Sequence, residues 1–281
     1  MRCFWKLCLC LAFALPLGSA WSQIKIGQTV GLTGPVSGTV KEANDWLDYM
    51  TAAAPATAAT ERAANGHPAP YRVKYLGLGN ESWGCGGPYT ADEYVTKMKP
   101  FARFVHNQNP AQADPPIDFT KMINDLMTGK SMDALPRNPN GMMRVAVGPN
   151  SLDGSYTDAV MKAWKARSPI YWDIDGLSLH HYTFGSSPFG EAATGFGEKQ
   201  YAFVLKQTLD MERIIAMHSA AMDKYDPKKH VGLMVDEWGV WLKPMQGTEP
   251  QFAASTIAEG IAVKAVGELS YAIARPLIAK R

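Results

Sequence analysis

Short apolar runs alternate with longer segments of helical period along most of this chain. From Tyr71 onward, strand-like runs are predicted at residues 72–81, 143–148, 174–182 and 231–237. Helices are predicted between them at residues 91–106, 157–167 and 199–224. This alternation is typical of βα units on a parallel sheet, so the sequence predicts an α/β fold. Residues 107–140, rich in Pro, Asn, Asp and Met, are expected to form an excursion at one rim.

The first 22 residues have the pattern of a secretory signal. Arg2 and Lys6 provide a basic start, an apolar run follows, and Gly18 and Ala20 surround a cleavage point. The alternative is a membrane anchor, but residues 7–17 are shorter than the roughly 20 apolar residues that a bilayer span requires. We therefore expect an exported protein, periplasmic or secreted, with no membrane contact after cleavage.

Charge and cysteine content narrow the classes of partner. The chain of 281 residues has 28 basic and 26 acidic residues, and loss of Arg2 and Lys6 with the signal leaves 26 of each. A mature net charge of zero gives no electrostatic case for nucleic acid. Cys85 is the one cysteine outside the signal, so no intrachain disulfide is expected. No cofactor is expected either.

Polar residues lie where three of the predicted strands end. Asn80 and Glu81 end the first, His180 and Tyr182 end the third, and Glu237, after Asp236, ends the fourth. In (β/α) barrels the active site forms at this end of the strands. Strand alternation places His180 and Tyr182 together on the lumen side and His181 on the outer side. It also places Glu81 on one face with Gly77 and Gly79, above a roomy floor.

Two carboxylates that converge on one pocket can cleave a glycosidic bond. One protonates the leaving oxygen, and the other stabilises or captures the oxocarbenium-like centre. Retention of configuration requires carboxyl groups about 5 to 5.5 Å apart, whereas inversion requires roughly 6.5 to 9.5 Å. A single strand-end glutamate is usually a solvated rim residue. The pair Glu81 and Glu237, each followed closely by tryptophan, favours the glycosidase interpretation.

Other chemistries are less well supported by the spacing. Trp83, Trp238, Trp241 and Tyr89 are open to two interpretations, core packing or sugar platforms. No metal site is expected, because His180 and His181 point to opposite faces and no third ligand lies at a recognisable spacing. Cys85 is interpreted as a small buried thiol rather than a nucleophile. The glycines at positions 84–87 lack the lysine of a phosphate-binding loop.

Five segments resemble, in order, the α-L-arabinofuranosidases of glycoside hydrolase family 51. They are YLGLGNESWGCGG (75–87), RVAVGPN (144–150), DGLSLHHYT (175–183), HSAAMDKYDP (218–227) and VDEWGVW (235–241). The resemblance implies a (β/α)8 barrel and a retaining hydrolase of terminal non-reducing α-L-arabinofuranosyl groups in oligosaccharides or polysaccharides. It also implies that Glu81 is the acid/base, that Glu237 is the nucleophile, and that the sugar is contacted by Asn80, His180 and Tyr182.

The resemblance covers about three quarters of the chain and predicts a partial barrel. Nothing before Tyr71 resembles the first strands of the family's barrel, and its C-terminal β-sandwich has no counterpart. The predicted organisation is a signal at 1–22, a foreign segment at 23–38, a catalytic segment at 39–253 and an unrelated tail at 254–281. The opening could be covered by Ala-rich helices before Tyr71 or by another copy in a homo-oligomer.

The two flanks resemble other families. Residues 24–42 resemble the start of exported ABC-type amino-acid-binding proteins, and residues 255–277 resemble a stretch of pyridoxal-phosphate threonine dehydratases. Neither segment contains the binding site of its family. Two alternatives to the hydrolase therefore stay open, an exported non-catalytic solute-binding protein and an inactive hydrolase fragment.

Overall fold

A computed structural model describes residues 40–130, 135–185, 192–243 and 245–247. The predicted signal, the foreign N-terminal segment and the C-terminal tail lie outside the described residues. The elements in chain order are α1 (Val40–Thr51), α2 (Thr57–Ala64), β1 (Tyr75–Leu78), α3 (Ala91–Phe104), a 3-10 turn (Pro110–Gln112), α4 (Phe119–Met127), β2 (Met143–Ala146), α5 (Ser155–Ala166), β3 (Gly176–Phe184), α6 (Glu198–Thr208), α7 (Asp210–Asp223) and β4 (Gly232–Trp241).

The four strands form one parallel sheet in the order β1-β2-β3-β4. Each strand pairs with the next one along the chain, and helices connect them, as the α/β prediction required. The carboxyl ends of all four strands consequently lie along one edge. Among the described residues, no helix is both long enough and apolar enough to cross a membrane.

The core lies between one face of the sheet and the helices. From the strands it receives Leu76 and Leu78 of β1, Leu177 and Leu179 of β3, and Leu233 and Val235 of β4, all fully or almost fully buried. The helices add Leu47, Tyr94, Met98, Val160, Met161, Ile214 and Met222. Burial of each large apolar side chain contributes about 1.5 to 3 kcal/mol. The other sheet face carries buried apolar side chains, Val145 and Met234, beside the polar Ser178 and His180.

Local sequence signals fix where two of the helices begin. At α3, Thr90 accepts a hydrogen bond from the backbone N–H of Glu93, and the Glu93 carboxylate accepts one from the backbone N–H of Thr90. This capping box is readable in the sequence TADE, and it satisfies two backbone donors that the helix leaves without partners. At α4, the side chain of Asp118 accepts from the backbone N–H of Lys121.

Several elements differ from the sequence-based prediction. The first strand ends at Leu78 instead of reaching Glu81, because Gly79 has a φ of +116° that the β-region does not allow. The helix predicted at residues 199–224 is two helices that meet at Leu209. The excursion at 107–140 contains the 3-10 turn and α4. The third and fourth strands extend beyond their predicted ends, to Phe184 and Trp241.

A β-bulge interrupts the pairing of β3 with β4. Leu179 pairs with Val235, but the next residue, His180, pairs with Glu237, so Asp236 has no partner in the register. In a regular strand Glu237 would lie on the same face as Val235, which is in the core. The extra residue reverses the alternation and places Glu237 on the face of His180.

Candidate active site

Glu81 lies in a tight turn that follows β1 directly. Its φ is +40°, a left-handed conformation that is uncommon for a residue with a side chain. The backbone N–H groups of Gly84 and Gly86 both donate to the Glu81 carbonyl, at 2.7 and 3.1 Å. A Cβ at Gly86 would lie 1.5 Å from the Asn80 carbonyl oxygen, so only glycine allows this close approach. Strain of this kind is concentrated at functional sites.

This turn overturns the expectation that Glu81 shares a strand face with Gly77 and Gly79. The strand has ended before Glu81, so alternation does not determine where its side chain points. The turn directs the carboxylate toward β3, where Glu81 Oε1 lies 3.0 Å from His180 Nδ1. The Glu81 side chain is 16% exposed, so the acid is largely shielded but still accessible.

Cys85 contacts the second oxygen of the same carboxylate. Its thiol donates to Glu81 Oε2 at 3.0 Å, and the cysteine is exposed, so the expectation of a buried thiol is wrong. The reason is the turn, which brings position 85 back over Glu81 at the surface. The hydrogen bond to Glu81 raises the pKa of the thiol, and burial and the Glu81 charge add to the effect. Cys85 is therefore held as a thiol rather than as a reactive thiolate.

His180 lies at the centre of the site. Its side chain is 6% exposed, and its backbone is held by the loop after β2, where His180 N–H donates to the Pro149 carbonyl and Ser151 N–H donates to the His180 carbonyl. Its Nδ1 lies 3.2 Å from Glu237 Oε2 as well as 3.0 Å from Glu81. One ring nitrogen therefore lies between both predicted catalytic carboxylates.

The pKa of His180 is raised to about 9. Burial alone would lower it, but the hydrogen bond and the negative charge of Asp236, the hydrogen bond of Glu81 and the charge of Glu237 together outweigh burial. His180 is consequently an imidazolium at neutral pH, and both of its ring nitrogens are donors.

Tyr182 fixes the other side of Glu237. Its hydroxyl donates to Glu237 Oε1 at 2.5 Å, a short bond of the charge-assisted kind. Alternation along β3 puts Tyr182 on the face of His180, as the sequence predicted. His181 lies on the other face, where its Nδ1 contacts the Ser151 hydroxyl at 2.9 Å. Glu237 is 35% exposed, so a substrate can reach it between these contacts.

The two glutamates are close enough for one reaction centre. Glu81, His180 and Glu237 each provide an atom, and these atoms lie within 4.8 Å of one another. One oxygen of each glutamate therefore lies near the other residue, so both carboxyl groups can reach one glycosidic bond, as a retaining glycosidase requires. The same three atoms are close enough to hold a metal ion, which the sequence spacing did not indicate. A metal bound there would have to displace the proton that the neighbouring carboxylates favour on His180.

The aromatic residues near the site divide into two groups. Trp83, Tyr89 and Trp238 are partly buried and pack against the core. The Trp83 indole also donates to the Gly148 carbonyl at 3.2 Å and lies edge-on to His180, so it supports that ring. Trp241 is 37% exposed and lies edge-on to Tyr182, with ring centroids 5.4 Å apart. Of the four candidates, Trp241 has the most accessible ring for a sugar.

Sequence reasoning assigned no role to two residues that contact this cluster. One is Cys85, and the other is Asp236, whose Oδ1 lies 3.4 Å from His180 Nε2. The adjacency of Asp236 to Glu237 was the available signal, but strict alternation would direct neighbouring side chains to opposite faces. Asn80 precedes Glu81 in the turn and is partly buried.

The comparisons with known proteins point to one family. The α-L-arabinofuranosidase 1 domain model matches residues 7–143, a range that contains Glu81 and ends where β2 begins. An intracellular exo-α-L-arabinofuranosidase of Bacteroides ovatus is 32% identical over 213 residues, which cover 75% of this chain and 35% of that protein. The crystal structure of the GH51 arabinofuranosidase of Xanthomonas axonopodis pv. citri superposes with a TM-score of 0.63 at 30% identity, covering 86% of this chain and 42% of that one.

This chain is similar to the family 51 α-L-arabinofuranosidases in sequence and in fold. Its four-stranded sheet is part of a (β/α)8 barrel, as the resemblance implied. An arabinose-bound α-L-arabinofuranosidase from Thermotoga maritima agrees in fold, with a TM-score of 0.54 at 22% identity, covering 84% of this chain and 40% of that one. The chain spans about a third of the length of the curated relatives that it matches.

Proposed function

We propose that this chain carries the retaining catalytic centre of an α-L-arabinofuranosidase, which releases terminal non-reducing α-L-arabinofuranosyl groups from oligosaccharides or polysaccharides such as arabinoxylan and arabinan. The observation that carries the proposal is that one carboxylate oxygen of Glu81 and one of Glu237 lie within 4.8 Å of each other beside His180. The names of its relatives support the substrate class. The supporting motifs lie on three strand ends that the fold brings to one edge.

In the proposed reaction Glu237 attacks the anomeric carbon while protonated Glu81 gives its proton to the departing glycosidic oxygen. A covalent glycosyl–enzyme forms, and Glu81 then accepts a proton from the water that cleaves it. The Tyr182 hydroxyl bond to Oε1 leaves Oε2 of Glu237 for the attack once substrate displaces the His180 contact. Asn80, His180 and Tyr182 are proposed to contact the sugar ring.

The first experiment is turnover of an aryl α-L-arabinofuranoside by the purified chain. Wild type should release the chromophore, and Glu237→Ala should be slower by at least about 10³-fold, since the nucleophile is removed. Glu61→Gln is the control: it removes one negative charge, as Glu237→Ala does, but on the exposed surface of α2. Its rate should equal that of wild type. No release by wild type, or an unchanged rate for Glu237→Ala, would contradict the proposal. The first of these outcomes would favour the inactive-fragment alternative.

Export and the foreign flanks are part of the same proposal. We infer that residues 1–22 are a signal, that the mature protein is exported, and that residues 254–281 are an addition to a partial barrel. The segment 23–38, which resembles a different family, also lies within the range that the arabinofuranosidase domain model matches. These segments lie outside the described residues, and their support is the sequence pattern alone. The solute-binding alternative depends on the same N-terminal segment. Calorimetry with leucine and with arabinose separates it from the hydrolase, because it requires leucine binding without turnover.

A further inference from the structure

The bulge residue Asp236 has no task in the reaction proposed above. It is unpaired in the register of β3 with β4, and its side chain is 42% exposed. One of its oxygens nevertheless lies 3.4 Å from His180 Nε2. Bulges near active sites commonly turn a side chain to a new direction. Here the bulge lets two consecutive residues, Asp236 and Glu237, both reach the same histidine.

The two ring nitrogens of His180 have separate partners. Nδ1 faces Glu81 and Glu237, at 3.0 and 3.2 Å. Nε2 faces Asp236, which is the one carboxylate within ion-pair distance of that nitrogen among the described residues. A hydrogen bond at one ring nitrogen fixes both the orientation of an imidazole and the proton on the nitrogen opposite. The position of Nδ1 therefore depends on the contact at Nε2.

We propose that Asp236 is a positioning residue, which holds His180 through Nε2–H so that Nδ1–H remains shared between Glu81 and Glu237. The contact does not depend on the enzyme activity, although its catalytic consequence rests on the proposed function. Loss of Asp236 would free the ring and weaken its hold on the imidazolium proton. Glu81 and Glu237 would then lose the donor that lies between them.

The titratable and charged groups that face His180 come from three elements. The turn after β1 contributes Glu81, with Cys85 behind it, and β4 contributes Asp236 and Glu237. Tyr182, on the same strand as His180, acts on it through Glu237. The carboxylates raise the pKa of His180 to about 9 against the effect of burial. Removing the Asp236 charge should therefore shift the pKa of His180 downward.

The direct test is a histidine NMR titration of wild type, Asp236→Asn and Glu61→Gln. The chain has six histidines, and the His180 signal is identified by its absence in His180→Gln. We expect His180 in Asp236→Asn to titrate at lower pH than in wild type, and Glu61→Gln to leave it unchanged. An identical His180 titration in Asp236→Asn and wild type would overturn the proposal. The readout needs no turnover, so it remains decisive even if the proposed activity is absent.

The kinetic test separates positioning from direct contact with substrate. For Asp236→Asn, kcat/KM should fall about tenfold at pH 8 but less than about threefold at pH 6, where His180 stays protonated. The double variant Asp236→Asn/His180→Gln should be no slower than His180→Gln, because Asp236 acts through the histidine. Equal losses at both pH values, with additive effects in the double variant, would show direct substrate contact instead and overturn the positioning role.

Discussion

His180 on β3 lies opposite Glu237 of β4, and not opposite Asp236 as an uninterrupted register would place it. One extra residue in β4 therefore decides whether the predicted nucleophile faces the site or the helices. With the bulge, Glu237 Oε2 comes within 3.2 Å of His180 Nδ1, the atom that also contacts Glu81. The paired glutamate site depends on this local irregularity as much as on the fold.

The role of Glu81 as the predicted general acid can be tested with substrates that differ in their leaving group. Glu81→Ala should lower the rate on natural arabinosides by about 10²- to 10⁴-fold, because those leaving groups need protonation. For aryl arabinosides that release acidic phenols, the rate of the glycosylation step should fall much less. The measurement is kcat/KM for a series of substrates that differ in the pKa of the leaving group. Equal losses across the series would remove Glu81 from this role.

Tyr182→Phe removes the short hydrogen bond to Glu237 Oε1. Hydrogen bonds to charged groups contribute about 1.5 to 3 kcal/mol, so we expect kcat to fall by about 10- to 100-fold. Thermal unfolding of the variant serves as the control, since the ring and its contact with Trp241 are retained. A variant with wild-type kcat would show that the hydroxyl does not orient the nucleophile.

The ionisation of His180 predicts how stability depends on pH. Its folded pKa, about 9, is raised above the ordinary value of 6.5, so its contribution is fully present below about pH 6.5 and is lost as the pH rises through 9. Each unit of such a shift corresponds to about 1.4 kcal/mol. Urea unfolding should show a free energy that declines over this window in wild type and is flatter in His180→Gln. Parallel curves would contradict the assignment.

The turn that carries Glu81 should tolerate no side chain at Gly86. Gly86→Ala would place a Cβ 1.5 Å from the Asn80 carbonyl oxygen, so the backbone must move, at a cost of about 1 to 3 kcal/mol. We expect a lower melting temperature and a loss of activity, since Glu81 moves with the turn. Gly154→Ala is the matched control, because its Cβ would meet nothing within 4 Å. Similar effects of the two substitutions would argue against this account of the turn.

The sequence predicted the strands and the residues of the site, but it did not predict two local backbone features that position those residues. Periodicity located all four strands and placed His180 and Tyr182 on one face, since both properties follow from short apolar runs and from alternation. The turn at Glu81 and the bulge at Asp236 were not predictable in the same way. The turn depends on the close approach of Gly86 to the Asn80 carbonyl within one loop, and the bulge depends on how β4 pairs with β3. Alternation alone would have placed Glu237 in the core.

The most direct measurement of the central claim is the configuration of the product formed with methanol as acceptor. An aryl α-L-arabinofuranoside is turned over in dilute methanol, and the methyl glycoside is identified by proton NMR. Because one oxygen of Glu81 and one of Glu237 lie within 4.8 Å of each other beside His180, both residues can act on the same bond. With Glu237 as nucleophile and Glu81 as acid/base, the account predicts methyl α-L-arabinofuranoside, the product of two displacements. The β-anomer, or no product from folded protein, would contradict it.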